Sequence, residues 1–266
     1  MLTGKEILTL FNSFKEAHGK PVMVHTSLKA IGEIDGGAQT LLSGLIDTFA
    51  KEGGLLCIPT HTWDSLKLDL NKTESCLGVL PRCALAHPDG IRSLHPTHSV
   101  VVFGEKEQAE KFIEKEAEVD SPTHPDGCYG NLYREDGYIL LLGVGQEKNT
   151  FLHCVEEMLN IPDRLTDEKI SADIVYKDNS LQRRYLRWFD EKIPDVSVFF
   201  GKFEPAFRHF GCIRDAKLGN AKVQLCSAKK IRQAMEHIYK NAGGKEILAD
   251  DTPLDEKLYK QECAKW

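Results

Sequence analysis

The sequence predicts an α/β fold: a central, mostly parallel sheet flanked by helices, with an antiparallel β-hairpin added to it. Three observations carry this. Short apolar runs at 22–24, 55–58 and 138–142 have the length of buried strands. Amphipathic helical patterns fall between them, the alternation that builds parallel units. Two β-rich stretches, 170–176 and 181–189, flank the turn-forming Lys177-Asp178-Asn179-Ser180. The chain reads as a single domain over 1–266, with the hairpin a subregion at about 168–190.

Each element has a local reason. Thr3 and Glu6 form a T-x-x-E capping box ahead of Ile7, Leu8, Leu10, Phe11 and Phe14, so an amphipathic helix opens the chain and ends near Gly19-Lys20-Pro21. Val22-Met23-Val24 is the first strand. Gly36-Gly37 opens a helix with Leu41, Leu42, Leu45, Ile46 and Phe49 on one face, and Gly53-Gly54 stops it before the second strand, Leu55-Leu56-Cys57-Ile58. Residues 60–97 read as irregular, punctuated by Pro81, Pro88 and Pro96; a segment this long inside a compact domain is usually functional. Residues 99–103 form a strand and 105–118 a charged helix, followed by a loop over 121–130. Tyr138-Ile139-Leu140-Leu141-Leu142 is the most apolar run and belongs at the sheet centre. Asn149 or Thr150 caps a helix running through Met158. Beyond the hairpin, 199–209 reads as helical, 221–225 as a strand, 231–239 as a helix and 250–266 as a loosely packed helical tail.

The bulk properties exclude several classes. The chain has 266 residues, 41% hydrophobic and 28% charged, enough to bury a core without staples. A net charge of −6 disfavours nucleic acid as a partner, since phosphate contacts need clustered Lys and Arg. No apolar run approaches the ~20 residues of a membrane span. The eight cysteines, Cys57, Cys76, Cys83, Cys128, Cys154, Cys212, Cys226 and Cys263, include no C-x-x-C pair, and several sit in apolar runs as buried thiols. With no secretory pattern at the N-terminus, the expected setting is cytoplasmic.

Four segments carry chemistry. His25-Thr26-Ser27-Leu28-Lys29-Ala30-Ile31-Gly32 follows the first strand directly, where α/β sheets bind ligands, and offers hydroxyls and free backbone N–H groups to phosphates. The plain alternative is an ordinary strand-to-helix loop, and the segment matches neither a Walker A loop nor G-x-G-x-x-G. Arg92-Ser93-Leu94-His95-Pro96-Thr97-His98-Ser99 brings two histidines and two serines to a strand entrance. No further ligand set supports a metal there, so no metal is expected, and a hydrogen-bonded turn is the plain reading. Gly143-Val144-Gly145 ends the most apolar strand and leads to His153 early in a helix. Thr150 and Glu156 stand at i−3 and i+3 from His153, on its face. An imidazole with a carboxylate in reach to orient it and raise its pKa suits a general base; a helix histidine satisfied by a carbonyl is the alternative. Cys154 points about 100° away from His153, so the two form no dyad. Gly219-Asn220-Ala221 reads as a turn before a strand, with no assigned role.

In their order along the chain, HTSLKAIG, GGLLCIPT, RSLHPTHSVVVFG, DSP, YILLLGVG with NTFLHCVEE, and the late GNAKVQL resemble the aminoglycoside 3-N-acetyltransferase family. The likeness runs from about 22 to 231. It implies an α/β fold distinct from the GNAT acetyltransferases and acetyl-coenzyme A as co-substrate, with a small-molecule amine, the 3-N amine of an aminoglycoside, as acceptor and antibiotic resistance as the associated role. His25, Thr26, Ser27, Leu28, Ile31, Gly32 and Gly36 would hold the coenzyme, with Ser99 and Val100 along its pantetheine or thioester. His153 would be the catalytic base, with Glu156 supporting it or binding a cationic substrate. Asp64, Asp120, Thr150 and Glu157 would face the acceptor. Direct transfer fits better than an acyl-enzyme, because no activated Ser or Cys is evident. Acylation of a different amino sugar or amine metabolite is the neighbouring alternative. From other classes, a hydrolase using Cys154 or Ser99 and an idle coenzyme A-binding module remain open, as do the monomeric and homodimeric states.

Overall fold

The computed structural model of the chain describes residues 1–72, 74–189, 192 and 195–260. Its elements are α1 (Gly4–Phe11), β1 (Pro21–Thr26), α2 (Leu28–Ile31), α3 (Gly37–Phe49), β2 (Leu55–Pro59), β3 (Lys67–Asp69), α4 (Val79–Ala86), β4 (Ile91–Arg92), β5 (Val100–Phe103), α5 (Lys106–Ile113) and α6 (Cys128–Arg134). There follow β6 (Tyr138–Leu142), α7 (Phe151–Met158), β7 (Leu165–Val175), β8 (Leu181–Phe189), α8 (Glu204–His209), β9 (Ile213–Leu218), β10 (Ala221–Ser227), α9 (Ala228–Ala242) and α10 (Lys257–Lys260).

Seven strands form the main sheet in the order β4-β5-β2-β1-β6-β10-β9. The α/β class is as the sequence predicts, but the parallel part is narrower. Strands β2, β1 and β6 run parallel, while β5, β4, β10 and β9 join antiparallel to their neighbours. The reason lies in the connections. β10 enters through a tight turn from β9, and β5 enters after the long 60–99 excursion, so neither arrives by the helical crossover that makes neighbours parallel.

Pleating sorts the central strands between two cores. Met23, Leu55, Cys57, Ile139 and Leu141 face one side, with α5, α6, α7 and α9. Val22, Val24, Leu56, Ile58, Leu140 and Leu142 face the other, with α1, α3 and α4. Both faces of these strands are covered, which is why their sequences are continuously apolar rather than alternating. The Thr3–Glu6 capping box forms as predicted, although α1 ends at Phe11 and a 3-10 turn over Lys15–Ala17 completes that layer.

The hairpin of β7 and β8 takes β3 as a third, parallel strand, making a separate three-stranded sheet. The expected hairpin limit at 190 lies outside the described residues, as do 261–266 of the expected tail helix and Cys263. The tail's described helical part is α10. The segment read as irregular, 60–97, contains β3, α4 and β4. No helix of the described residues is long and apolar enough to cross a membrane.

Candidate active site

Parallel strands end together, and β1 and β6 end on a cleft of about 1230 Å³. His25, Thr26, Ser27 and Leu28 reach it from the end of β1, and Gly143 and Val144 from the end of β6. Asn149, Thr150 and His153 line it from the approach to α7 and from α7 itself. His61 arrives just past β2, His98 just ahead of β5, and Trp188 with Phe189 from the end of β8.

Gly143 fixes how the chain leaves β6. Its φ of +70° is a left-handed conformation, and a Cβ there would lie 2.7 Å from the Ala30 Cβ. The close approach lets Ser27 donate its N–H to the Leu142 carbonyl at 2.9 Å, extending the β1–β6 pairing into the cleft wall. Ser27 then caps α2 through its hydroxyl, which accepts from Ala30 N–H.

His153 points into the cleft with its side chain 15% exposed. Phe189 lies against the ring at 4.5 Å between centroids, and Phe200 packs edge-on at 4.8 Å. Behind it stands Glu156, with 0% of its side chain exposed. The Oε1 of Glu156 accepts from Arg164 Nε at 2.7 Å and from the Tyr239 hydroxyl at 2.5 Å. Its Oε2 has no hydrogen-bond partner among the described residues and lies 4.0 Å from His153 Nδ1. Arg164 is shared with Glu246 at 2.8 Å and held charged by the two carboxylates.

The sequence reading expects Glu156 to raise the His153 pKa, and the structure corrects this. Burial dominates and pushes the imidazole down to about 4, with Asp195 opposing and Arg164 assisting. Burial likewise pushes the Glu156 carboxyl up, against Arg164 and Tyr239. The guanidinium and the phenol already engage this carboxylate, so His153 gains little from it while neutral.

Three further histidines meet His153 at this end of the sheet. Burial holds His25 at about 4, His61 at about 3 and His98 well below the usual range, and mutual repulsion adds to the last two. The His61 and His98 rings are 4.4 Å apart, and His61 Nε2 is 2.8 Å from the Tyr129 hydroxyl. Despite this crowding of imidazoles, no group of three or more metal-ligating side chains forms among the described residues.

Some predicted site residues therefore converge and others do not. His25, Thr26, Ser27, Leu28, Thr150 and His153 line the cleft, with Glu156 directly behind. Ile31 and Val100 are core residues. Gly32 packs toward Asn220, whose N–H donates to the Ile31 carbonyl, which gives the Gly219-Asn220 turn a structural role. Gly36 is the exposed N-cap of α3. Ser99 is fully buried, its hydroxyl bound by Thr60 and Arg92. His95 is the hydrogen-bonded turn itself, with Nε2 on the Ser121 carbonyl and Nδ1 accepting from the N–H groups of Thr97 and His98. Asp64 is exposed off the cleft wall. Asp120 is paired with Lys169 and Arg187 beside a second cavity of about 530 Å³. Glu157 accepts from the hydroxyls of Ser121 and Thr123, both at 2.6 Å, and so ties down the 121–123 loop. Cys154 is a core residue whose thiol burial pushes far up, which leaves no thiolate for nucleophilic attack. Sequence reasoning missed His61, Trp63, Trp188 and Phe189 as cleft residues.

The family model for aminoglycoside 3-N-acetyltransferase matches residues 23–240. The chain belongs to the aminoglycoside 3-N-acetyltransferase family. Relatives in this family include the SPbeta prophage-derived aminoglycoside N(3')-acetyltransferase-like protein YokD of Bacillus subtilis (strain 168), 24% identical over 86% of this chain and 89% of that protein. Another is aminoglycoside N(3)-acetyltransferase IX of Micromonospora chalcea, 29% identical over 54% of this chain and 57% of that protein, so the alignment spans little more than half of that enzyme. Among solved structures, an AAC-IIIb binary complex with CoASH superposes with a TM-score of 0.72 at 24% identity, covering 88% of this chain and 94% of that one. The acetyltransferase fold of the family and the fold described above are the same.

Proposed function

We propose that this family member transfers the acetyl group of acetyl-coenzyme A to an amine of an aminoglycoside, at the 3-N position, with His153 as general base and a single domain over 1–266 carrying the reaction. The observation that carries this is a neutral, buried imidazole on the cleft at the ends of β1 and β6, where three further buried polar atoms lack partners. His25 Nε2, Thr26 Oγ1 and Asn149 Oδ1 are buried at the cleft with no hydrogen bond among the described residues. Buried polar atoms are normally satisfied, so these three mark where the wall would open to a ligand rich in amides, such as the pantetheine arm. Lys29 and Lys148 stand exposed on the same cleft and suit the phosphates. The coenzyme-bound AAC-IIIb structure supports the choice of donor, and the name of the Micromonospora enzyme the choice of acceptor. A cytoplasmic setting fits the seven described cysteines, all free thiols.

In this reading the acceptor nitrogen bonds to the acetyl carbon and becomes positively charged. His153, neutral at pH 7, takes the proton that this nitrogen sheds, and passes it to the departing thiolate as the carbon–sulfur bond breaks. As the imidazolium forms, Glu156 Oε2 gains a cation to face. Phe189 and Phe200 shield much of the ring from water, which strengthens that attraction.

The charge of the cleft favours a second acceptor within the same reading. Its described carboxylates are Glu147, Asp163 and Asp195, and each is already engaged, by the Gly145 N–H, by Lys192 and by the Ser197 hydroxyl respectively. That modest acidity suits an amino sugar or amine metabolite of lower charge than a polycationic antibiotic. Release of the coenzyme A thiol, measured with acetyl-coenzyme A and a panel of aminoglycosides and mono-amines, tests both readings. Release by the wild type and its loss in His153→Ala is the expected outcome. Undiminished release by His153→Ala removes His153 as base, and the amine with the highest kcat/KM decides the acceptor.

A further inference from the structure

Tyr129 is the largest fully buried side chain among the described residues, and its hydroxyl has one partner among them, His61 Nε2 at 2.8 Å. A hydroxyl carries one proton. If His61 donated from Nε2, the Tyr129 proton would be left with no acceptor at a site that water does not reach, an uncompensated loss of a hydrogen bond. The satisfied arrangement has Tyr129 donating to Nε2. A neutral imidazole then carries its own proton on Nδ1. That nitrogen has no protein partner among the described residues and is not among the sealed, unpartnered atoms, and His61 lines the cleft that His153 faces. Tyr129 sits on α6, packed in the core between Cys128 and Leu132, so the donor's direction is set by a rigid element.

We propose that His61, its tautomer fixed by Tyr129, donates its Nδ1–H to the carbonyl oxygen of the acetyl thioester as that oxygen becomes negative. The inference rests on the acetyl-transfer reading above. As the acceptor nitrogen bonds to the acetyl carbon, the carbonyl π pair moves onto oxygen and His61 stabilises it without giving up its proton. When the pair returns, the carbon–sulfur bond breaks and the thiolate leaves. A neutral donor of fixed direction is the kind of group that stabilises such an oxyanion without reorganising during the reaction. His61 and His153 thereby divide the work, one donating to oxygen and the other accepting from nitrogen.

The test pairs three variants. His61→Gln keeps a polar group near the Nε2 position for Tyr129 but removes the cleft donor; its kcat should fall roughly 100-fold, the usual cost of an oxyanion donor. The KM for acetyl-coenzyme A should stay within about twofold, since the donor acts mainly in the transition state. His61→Asn places an amide N–H near the Nδ1 position and should retain most of the rate. Tyr129→Phe frees the tautomer and should cost about tenfold. A second measurement, independent of any variant's folding, is the imidazole nitrogen NMR spectrum of the wild type, expected to show Nδ1 protonated and Nε2 bare at His61. The opposite tautomer, or an active wild type with His61→Gln within about threefold of it, overturns the inference alone. A wild type that binds acetyl-coenzyme A yet acetylates no amine refutes the acetyl-transfer reading and this inference with it.

Discussion

Lowering the pH from 7 to 5 should destabilise this protein steeply, because its histidines are buried neutral. Burial holds His25 and His153 at about 4, and His61 and His95 at about 3, against an ordinary value of 6.5. Below pH 6.5 the unfolded chain gains a proton at each of these positions, and the folded chain does not until the pH reaches about 4 or 3. The unfolded state therefore binds more protons, and stability is lost as pH falls through that window. Each of the four contributes a loss of about 2 kcal/mol between pH 7 and 5, roughly 7 kcal/mol together. Glu116 acts the other way. Burial raises its carboxyl to about 7, so the folded state takes up a proton there first and recovers about 2 kcal/mol over the same interval. Over these five groups the net is a loss of roughly 5 kcal/mol, comparable to the whole stability of some domains; burial also lowers His98, which adds to the loss, and raises Glu156 and Glu157, which oppose it. Urea unfolding followed by the fluorescence of the three tryptophans, at fixed pH values from 8 to 5, measures it. Replacing His95, which lies off the cleft, should flatten the dependence between pH 6 and 5 by about 1.4 kcal/mol per pH unit. A free energy of unfolding that is level or rising between pH 7 and 5 refutes the argument, since it would mean these rings titrate as they do in water.

Three further outcomes follow from named contacts. His153→Ala should lower coenzyme A release by about 10²–10⁴-fold while calorimetric binding of acetyl-coenzyme A persists, because in the proposed role the ring moves a proton rather than holding the coenzyme. Arg164→Met leaves the Glu156 carboxylate buried with only Tyr239 on it, and should cost about 3–5 kcal/mol of unfolding free energy in urea, whereas Glu156→Gln in the same background should restore much of it. Gly143→Ala must accommodate a φ of +70° and a methyl 2.7 Å from Ala30 Cβ, and should lower stability by about 1–3 kcal/mol in the same assay, with turnover reduced further because the cleft wall moves.

How much of this was legible in the sequence depended on burial and local pattern. β1, β2 and β6 were readable because strands covered on both faces are continuously apolar, and α3 because its leucines recur on one face. α4 was not, because Pro81 looks like a breaker. It sits in the first turn, where its missing N–H has no helical partner to lose. β9 was missed because Ile213–Leu218 is an edge strand with mostly exposed side chains, so its alternation is weak. At the cleft, His25 and His153 were found from their places beside strand ends. His61 follows β2 as His25 closes β1, and the same rule applied to the second strand would have found it. Trp188 and Phe189 carry no such signal, since only tertiary packing brings the hairpin end onto the histidines. Ser99, Asp120 and Glu157 show the opposite failure. Their residue types suit a ligand, but neighbours far away in sequence already use their polar atoms.

The arrangement behind His153 has a consistent energetic logic. Two donors, Arg164 and Tyr239, converge on one oxygen of Glu156 and leave the other unengaged, 4.0 Å from the imidazole. A stronger ground-state bond between Glu156 and His153 would hold the base in place, but it would also draw a proton onto the ring before the acceptor arrived. Burial prevents that by making a lone imidazolium costly. In the proposed role, the cost would be relieved only when the acceptor nitrogen delivers its proton, because the free oxygen would then face a cation in a site narrowed by Phe189 and Phe200. An attraction that is weak in the resting site and strong in the charged one acts on the barrier rather than on binding. That difference explains why a carboxylate fully out of solvent, and already neutralised by an arginine, can still matter to a histidine it does not yet touch.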